Sequence, residues 1–229
     1  MPYMKKMIYS GRLLEIEKYP ITNKGNRVRV PKFQSSTVSQ ANLNEKNSLK
    51  QLIRLVECNY TEEDLFVTLS YKKAPSDKGT VKRDFQNFVR RLKYHCKKEG
   101  LPEPVVLGKP VYSSARPHHH IFLNFYDIQL LKKCWGKGRV STSFLDRDDE
   151  YGFTPISKYF ISEKNESAFS KRWCASRNLK KPKEVKKQIK RLNIYKPVEA
   201  PKGYKVISVE VTDNVFSGTY QYIRCVKIE

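Results

Sequence analysis

Apolar and polar positions alternate in three stretches that lie near the two ends of the chain. The first, residues 13–19, follows a short apolar segment and a turn at Ser10 and Gly11, whereas residues 204–211 and 220–228 flank a second turn. Successive side chains of a β-strand point to opposite faces, so this alternation predicts strands that are buried on one side. We predict an N-terminal strand pair, or a strand and a turn, and a C-terminal β-hairpin.

The middle of the chain contains two other patterns. Short runs rich in β-branched and aromatic residues predict strands at 65–71, 105–112, 118–125 and 140–144. Apolar residues at three- and four-residue steps predict helices at 41–58, from Asp77 or Thr80 to Gly100, at 128–135 before Gly136, and from Thr154 onward. Only a short turn separates the strands at 105–112 and 118–125, so we expect antiparallel neighbours. This mixture of elements predicts an α+β fold.

These elements divide the chain into three segments. Residues 1–60 hold the N-terminal strands, a basic arm at 22–39 and the first helix, residues 61–182 form the core, and residues 183–229 hold a basic segment and the hairpin. The arm has no periodicity and is predicted to be a loop. The Lys- and Arg-rich run at 171–191 is interpreted either as a solvated charged face or as a nucleic-acid contact.

The charge of the chain indicates its partners. Lysine and arginine number 45 against 23 aspartates and glutamates, which gives a formal net charge of +22. A field of that sign attracts polyanions before any specific contact forms, so nucleic acid is the leading partner. A membrane surface is the competing polyanion, but no apolar stretch approaches the ~20 residues of a bilayer span, and the first residues lack an apolar signal core. We therefore expect a soluble, cytoplasmic protein.

Three of the four histidines form the triplet His118, His119 and His120 at the start of a predicted strand. Residues two apart in a strand share a face, so His118 and His120 point together while His119 points the other way. Two imidazoles side by side make half of a metal site or bind a phosphate. The alternative is that they are merely polar positions at a strand start. The five cysteines lie far apart without a C-x-x-C pair, so no zinc knuckle is predicted.

Five segments of the chain, taken in order, resemble the rolling-circle replication initiators of plasmids and small phages, the HUH endonucleases. The segments are residues 66–71, 84–92, 116–120, 135–140 and 156–161. The likeness is greatest to replication-associated proteins of Gram-positive bacteria and their mobile elements, and it spans about residues 7 to 182. Each segment alone is a weak signal, whereas the ordered set with the histidine triplet is fairly specific.

The resemblance implies a central antiparallel sheet of the HUH or ferredoxin-like type with flanking helices, to which the N-terminal arm and the C-terminal hairpin are extensions. It implies that His118 and His120 bind Mg²⁺ or Mn²⁺ and that Tyr159, on a nearby helix, attacks a DNA phosphate. The tyrosine would then form a 5′-phosphotyrosine and free a 3′-hydroxyl to prime synthesis. Lys158 or Lys164 is expected to help the phenol ionise. Without the resemblance, Tyr159 would be interpreted as a core aromatic.

Two positions depart from the family pattern. Related sites usually add a third ligand, often Glu, on the strand before the histidines, and the spacing places Lys109 there. A cation at that position opposes metal binding, and Glu103, six residues earlier, serves only if the register shifts. Members also usually carry lysine three residues after the tyrosine, where this chain has Ser162, with Lys164 two further on. These changes bear on metal-dependent nicking and not on DNA binding.

Two functions from different classes remain open. The first is an initiator enzyme that nicks and rejoins single-stranded origin DNA, with Tyr159 as nucleophile and Tyr151 as a less favoured second tyrosine. The second is a descendant of such an initiator that binds origin or hairpin DNA without cutting it, which the lysine at position 109 favours. DNA contacts are predicted at Arg116, Lys109, Arg139, Lys171, Arg172, Trp173 and Arg177. The chain has no Walker motif, so a helicase, if needed, must be a separate host or element protein.

Overall fold

A computed structural model describes residues 2–21, 37–112, 117–125, 127–162, 172–213 and 218–228. The predicted basic arm lies mostly outside these ranges. The helices within them are α1 (Val38–Asn59), α2 (Lys78–Lys98), α3 (Ile128–Trp135) and α4 (Thr154–Ser162). The strands are β1 (Tyr3–Ser10), β2 (Leu13–Pro20), β3 (Leu65–Ser70), β4 (Val106–Val111), β5 (His118–Leu123), β6 (Val140–Phe144), β7 (Cys174–Ala175), β8 (Lys183–Ile189), β9 (Tyr204–Thr212) and β10 (Tyr220–Lys227). The predicted α+β fold is confirmed.

Five antiparallel strands form the central sheet, in the order β6-β3-β5-β4-β7. The histidine strand β5 lies in its middle, between β3 and β4. The predicted antiparallel pairing of β4 with β5 is confirmed, and its register places Lys109 opposite His120. β5 is apolar after its histidines, which suits a strand whose two faces are both covered.

Different helices cover the two faces of the central sheet. One face packs against α2 and α3 through a core that includes Phe85, Phe88, Leu131 and Trp135. The other face packs against α1 and α4 through a core that includes Leu52, Val56, Phe122 and Phe160. Each buried Phe or Leu contributes roughly 1.5–3 kcal/mol relative to exposure. Odd and even residues of β5 are therefore held in separate, well-packed environments.

Segments from both ends of the chain form a second sheet, here called the terminal sheet, in the order β8-β1-β2-β10-β9. The predicted N-terminal strand pair and C-terminal hairpin are confirmed as β1 with β2 and β9 with β10. Because β10 also pairs with β2, the segments 1–60 and 183–229 share one sheet. The sequence pattern does not predict β8, because four of its seven residues are charged; it joins the sheet by pairing with β1.

A buried ion-pair network fastens α1 to the terminal sheet. The guanidinium of Arg54 donates from Nε to Glu15 at 2.5 Å and from Nη2 to Glu17 at 2.9 Å. Tyr222 on β10 donates its hydroxyl to the same Glu15. Removing one partner of a buried ion pair typically costs about 3–5 kcal/mol, because it leaves a desolvated charge. α1 therefore connects the two sheets, with this network on one side and its apolar residues on the other. No helix of the described ranges is long and apolar enough to cross a membrane.

Candidate active site

The strand β5 sends its three histidines to two different faces, as its period of two predicts. His119 faces α2 and α3, where it is fully buried and stacks on Phe85 with ring centroids 5.3 Å apart. Its Nε2 lies 3.0 Å from the Tyr71 hydroxyl. Burial, followed by the nearby His118 and His120, lowers the pKa of His119 to about 3. His119 is therefore a neutral core residue at physiological pH.

His118 and His120 share the opposite face, against which α4 packs. Their Nε2 atoms are 3.1 Å apart. His120 is buried, and its Nδ1 lies 3.2 Å from the Thr68 hydroxyl on β3. Burial, then His118 and then Lys109, lowers the pKa of His120 to about 4. Its imidazole is therefore neutral at neutral pH and keeps a nitrogen lone pair for a ligand.

The two imidazoles fit a divalent cation as a pair of ligands. Two nitrogens that are each about 2.1 Å from one ion, at angles of roughly 90–109°, lie about 3.0–3.4 Å apart. The observed separation of 3.1 Å falls in this range. A third protein ligand is not found, since the described residues contain no group of three or more His, Cys, Asp or Glu side chains that could hold a metal. A cation at this pair would complete its coordination with water or phosphate oxygens.

Tyr159 lies on α4 beside the histidine pair. Its ring centroid is 5.4 Å from that of His120 and 5.9 Å from that of Phe66 on β3. Tyr159 is 52% exposed, whereas the next residue, Phe160, is fully buried. α4 thus inserts Phe160 into the core and leaves Tyr159 between the imidazoles and solvent. The interpretation of Tyr159 as a core aromatic is wrong.

Lys109 on β4 faces the same site, because the strand register places it directly opposite His120. It is only 2% exposed, and its Nζ donates to the carbonyl oxygens of Phe160 at 3.2 Å and Ile161 at 3.3 Å. The last carbonyls of a helix lack intrahelical partners and carry partial negative charge, so an ammonium at that end is stabilising. Lys109 therefore fastens the C-terminal end of α4 to the central sheet.

Both departures from the family pattern have a structural counterpart. Glu103 forms an ion pair with Lys93 on α2 at 2.6 Å, so the strand register brings Lys109, and not Glu103, to the histidines. Ser162, which takes the place of the expected lysine, donates its hydroxyl to the carbonyl oxygen of Tyr159 at 2.8 Å. The serine therefore helps to close the last turn of α4.

A second buried charge holds the N-terminal end of α4. The carboxylate of Glu57, in the last turn of α1, accepts from the backbone N–H of Phe153 at 2.7 Å and pairs with Arg147 at 2.8 Å. Arg224 on β10 donates to the Thr154 hydroxyl at 2.8 Å. α4 is therefore fixed at both ends, and these contacts together set the orientation of the helical segment that carries Tyr159.

The Glu57 site is built closely around its carboxylate. A Cβ at Gly152 would lie 2.1 Å from Glu57 Oε1, and one at Gly11 would lie 2.2 Å from the Glu57 carbonyl oxygen. Both glycines also have positive φ, of 58° and 55°. Burial raises the pKa of Glu57, and the hydrogen bond from Phe153 and the charge of Arg147 oppose this only in part. Nothing in the sequence pattern marks Glu57, whose contact with Phe153 spans 96 positions.

A basic cavity of about 750 Å³ opens beside His118. Its cationic lining residues are Lys72 and Arg139. Gly138 has no room for a side chain, because a Cβ there would lie 2.2 Å from the Ser70 carbonyl oxygen and 2.6 Å from the backbone nitrogen of Lys72. The segment before β6 therefore runs directly against the end of β3. Arg139 is a predicted DNA contact, and Lys72 lines the same cavity.

An acidic cavity of about 620 Å³ lies next to Tyr159. Asp146, Asp148 and Asp149 contribute three carboxylates to its lining. The Asp148 carboxylate accepts from the backbone N–H of Tyr151 at 2.7 Å and so shapes the turn that holds the less favoured second tyrosine. Carboxylates repel phosphates, so this cavity, which Arg147 also lines, suits an anion less well than the basic cavity does.

The other predicted site residues have varied surroundings. Lys158 is exposed on α4 next to Tyr159. Trp173 is half-buried and packs against the apolar core that α1 and α4 cover. Arg172 is half-buried and Arg177 is exposed. Three predicted residues lie outside the described ranges: Arg116, Lys164 and Lys171.

Comparison with known proteins identifies a family likeness over the central part of the chain. Residues 64–165 match the model of the family described as replication-associated protein ORF2/G2P. The matched range begins just before β3 and contains His118, His120 and Tyr159. No curated protein matches the chain, and no solved structure matches it. The family match supports a replication initiator protein, and therefore a role in DNA replication.

Proposed function

We propose that this protein nicks and rejoins single-stranded origin DNA through a covalent tyrosine intermediate, and so initiates rolling-circle replication. The proposal rests on one observation, the half-exposed Tyr159 ring that lies 5.4 Å from the ring of His120 on the face where two imidazoles meet. The family match over residues 64–165 and the net charge of +22 are consistent with a DNA substrate.

In the proposed reaction the phenolic oxygen of Tyr159 attacks the phosphorus of a DNA phosphodiester. A bond forms between that oxygen and phosphorus, the bond from phosphorus to the 3′-oxygen breaks, and the 3′-oxygen takes up the proton that the phenol loses. One DNA segment stays on the tyrosine through its 5′-phosphate. Because the phosphoryl bond energy is kept, a 3′-hydroxyl can later attack the phosphotyrosine and restore the strand.

The neighbours of Tyr159 have distinct tasks in this reaction. His118 and His120 would hold Mg²⁺ or Mn²⁺, which when bound offsets the negative charge that develops on the phosphate oxygens. Lys158, the residue before the tyrosine on the exposed side of α4, is assigned the task of helping the phenol to react. Lys109 holds α4 against the sheet, so the nucleophile is positioned before the DNA arrives.

The basic cavity beside His118 is the proposed path of the DNA strand. Lys72 and Arg139 line it and can pair with phosphates on one side of the scissile bond. The carboxylates of Asp146, Asp148 and Asp149 disfavour the strand on the other side of Tyr159. A strand in the basic cavity would therefore present its phosphate to the histidine pair.

One observation favours a second candidate function, in which the protein binds origin or hairpin DNA without cutting it. The buried ammonium of Lys109 lies in the row of His120, where related enzymes usually carry a carboxylate ligand. A cation at that place weakens metal binding, whereas it adds to the attraction for DNA. The two functions differ in whether a covalent link to DNA forms.

The covalent link is tested with single-stranded oligonucleotides that cover the replication region of the element encoding this chain. Each is labelled at its 3′ end, because the proposed intermediate retains the segment that begins with the 5′-phosphate. After incubation with Mn²⁺, a denaturing gel should show label that migrates with the protein.

Two tyrosine variants complete this test. Tyr159→Phe should abolish the covalent band, whereas Tyr151→Phe should retain it. Label that is retarded in a native gel but never migrates with the denatured protein would support the non-cleaving function. A covalent band that survives in Tyr159→Phe and disappears in Tyr151→Phe would move the nucleophile to the acidic turn.

A further inference from the structure

The terminal sheet carries a row of lysines on the face turned away from α1. Lys5 on β1 lies opposite Lys187 on β8 and opposite Lys18 on β2. Directly opposite residues of antiparallel strands point to the same face, with Cβ atoms about 4.5–5.5 Å apart. Three cations therefore stand side by side across three neighbouring strands. We call Lys187, Lys5 and Lys18 the lysine row.

Within the part of the chain that the structure describes, no carboxylate forms an ion pair with the lysine row. Neither Lys5 nor Lys187 forms an ion pair with another described residue, and Lys18 donates to the neutral amide of Gln221 at 2.8 Å. Burial, followed by the charge of Lys5, lowers the pKa of Lys18. Like charges directly opposite each other destabilise a sheet. The row therefore costs stability that a bound polyanion would restore.

The opposite face of the same strands provides a contrast. Lys6 on β1 and Lys186 on β8 also lie opposite each other. There, however, Glu17 lies opposite Lys6 on β2, and Glu184 pairs with Lys6 at 2.8 Å. On β1 and β8 the face toward α1 carries Lys6 and Lys186, whereas the other face carries Lys5, Lys183 and Lys187. On β1, β2 and β8, carboxylates lie among the lysines only on the face toward α1.

A cavity adjoins the lysine row, and an exposed aromatic residue is the chain neighbour of one of the lysines that line it. The cavity, of about 260 Å³, is lined by Lys5, Lys18 and Lys196, with Glu199 as an acidic residue among them. Tyr195, next to Lys196 in the chain, is 92% exposed. Lysines contact phosphates without regard to sequence, and exposed rings stack on unpaired bases. Surfaces that bind single strands combine these two features.

We propose that the lysine row and Tyr195 form a second binding surface, which holds single-stranded DNA away from the Tyr159 site. The surface lies on the terminal sheet, outside residues 64–165, on the face opposite to the one that Arg54 of α1 contacts. Met7 and Ile16, the apolar neighbours of the row, pack in a cluster with Val198 and are not offered to a lipid surface. The bound strand is recognised by its backbone and unpaired bases, and binding does not require cleavage.

The surface is tested by fluorescence anisotropy with oligo-dT of two lengths, one short and one long enough to reach both sites. The double variant Lys5→Gln/Lys187→Gln should bind the long oligo-dT more weakly. The slope of log affinity against log salt should fall by about 0.7 for each lost phosphate contact. Tyr195→Ala should also weaken binding, without a change in this slope.

The matched control is Lys6→Gln/Lys186→Gln, which removes the same charge from the same strands on the other face. It should leave the affinity for long oligo-dT nearly unchanged. Equal losses in the two double variants would overturn the proposal, because net charge alone would then explain binding. Unchanged affinity in Lys5→Gln/Lys187→Gln would overturn it as well, and so would a preference for a duplex of the same length.

Two further measurements distinguish this surface from a membrane-binding surface and from the Tyr159 site. Phosphatidylserine vesicles should bind the wild type and the Lys5→Gln/Lys187→Gln variant equally; a loss confined to vesicles, with oligo-dT binding intact, would identify a membrane surface and overturn the proposal. Covalent-band formation with short origin oligonucleotides should be unaffected in that variant. Failure of the nicking proposal would remove the covalent band in every protein and leave the oligo-dT comparison unchanged.

Discussion

The ammonium of Lys109 donates a hydrogen bond to the backbone carbonyl oxygen of Phe160, 3.2 Å away and one residue beyond Tyr159. This contact joins the position where related sites place a metal ligand to the helix that carries the candidate nucleophile. Lys109 thus takes the place of a metal ligand beside the histidines and also holds the C-terminal end of α4. Its substitution should affect helix position and metal binding separately.

Replacement of Lys109 by methionine tests the structural task. The change keeps an unbranched side chain but leaves two helix-end carbonyls without their charged donor. The free energy of unfolding should fall by about 1–3 kcal/mol, the usual cost of an unsatisfied buried polar group. Urea denaturation measures this loss. Lys158→Met, on the exposed side of α4, is the control and should have nearly wild-type stability; equal stability of all three proteins would contradict the capping role.

Replacement of Lys109 by glutamate tests its effect on metal binding. The variant places a carboxylate directly opposite His120 on the neighbouring strand. Its affinity for Mn²⁺, measured by calorimetry, should therefore exceed that of the wild type. Lys109→Met separates removal of the positive charge from addition of a ligand, and it should fall between the two. No gain in Lys109→Glu would mean that the side chain at position 109 does not reach the ion.

The neighbours Phe160 and Tyr159 should respond oppositely to truncation. Phe160→Ala removes a fully buried ring that packs on Phe122 with centroids 4.9 Å apart, and should cost about 3–5 kcal/mol of unfolding free energy. Tyr159→Ala removes a half-exposed ring and should cost far less, while it abolishes the covalent band. Thermal and urea unfolding check the first effect. A large stability loss in Tyr159→Ala would indicate that this ring is mainly structural.

Stability should depend on pH through Glu57. Because burial raises the pKa of Glu57 above its ordinary value of 4.5, the folded protein holds this proton more tightly than the unfolded chain does. The stabilising contribution is therefore fully present below pH 4.5 and is lost as the pH rises through the higher, folded value. Glu57→Gln has no such proton. The unfolding free energy of the wild type minus that of Glu57→Gln should thus decrease as the pH rises from 4.5.

Urea unfolding at a series of pH values measures this difference. The Asp77→Asn variant is a suitable control, since Asp77 is an exposed N-cap whose hydrogen bonds with Thr80 lower its pKa. Its contribution has the opposite sign and is lost as the pH falls. A wild-type advantage over Glu57→Gln that grows with pH would mean that the ion pair with Arg147 outweighs burial.

The basic cavity should contribute to binding of short single strands. Lys72→Gln and Arg139→Gln should each weaken binding of a short oligonucleotide and lower its salt slope by about 0.7, the value for one lost phosphate contact on a single strand. Lys98→Gln, an exposed cation at the end of α2, removes the same charge far from the histidines and should have little effect. Equal effects of all three substitutions would contradict a defined path beside His118.

The geometry of β5 could be predicted from the sequence because it depends on local rules. A strand period of two is enough to separate His119 from His118 and His120. The short connection between β4 and β5 likewise predicted their antiparallel pairing, whereas the placement of Lys109 beside the histidine pair was predicted from the spacing of the family pattern. The helix before Gly136 ended as predicted, with that glycine in the left-handed region at φ 61°.

Long-range contacts could not be predicted in the same way. Glu57 meets Phe153 across 96 positions, and Arg224 meets Thr154 across 70, with no periodicity that links them. The strand β8 is specified by its pairing with β1 and has few apolar residues of its own. Trp173 lies in a basic run and is of a residue type that stacks on bases. The tertiary packing nevertheless places it against the core.

The bond from Arg224 to Thr154 has a consequence for synthesis of the chain. A ribosome delivers residues in order, so β10 emerges long after α4 and the histidine strand have left the exit tunnel. During that interval the start of α4 lacks its arginine anchor, and β2 lacks the partner that completes its hydrogen bonding. A nascent chain therefore holds the start of α4 without the Arg224 bond until β10 has joined the terminal sheet.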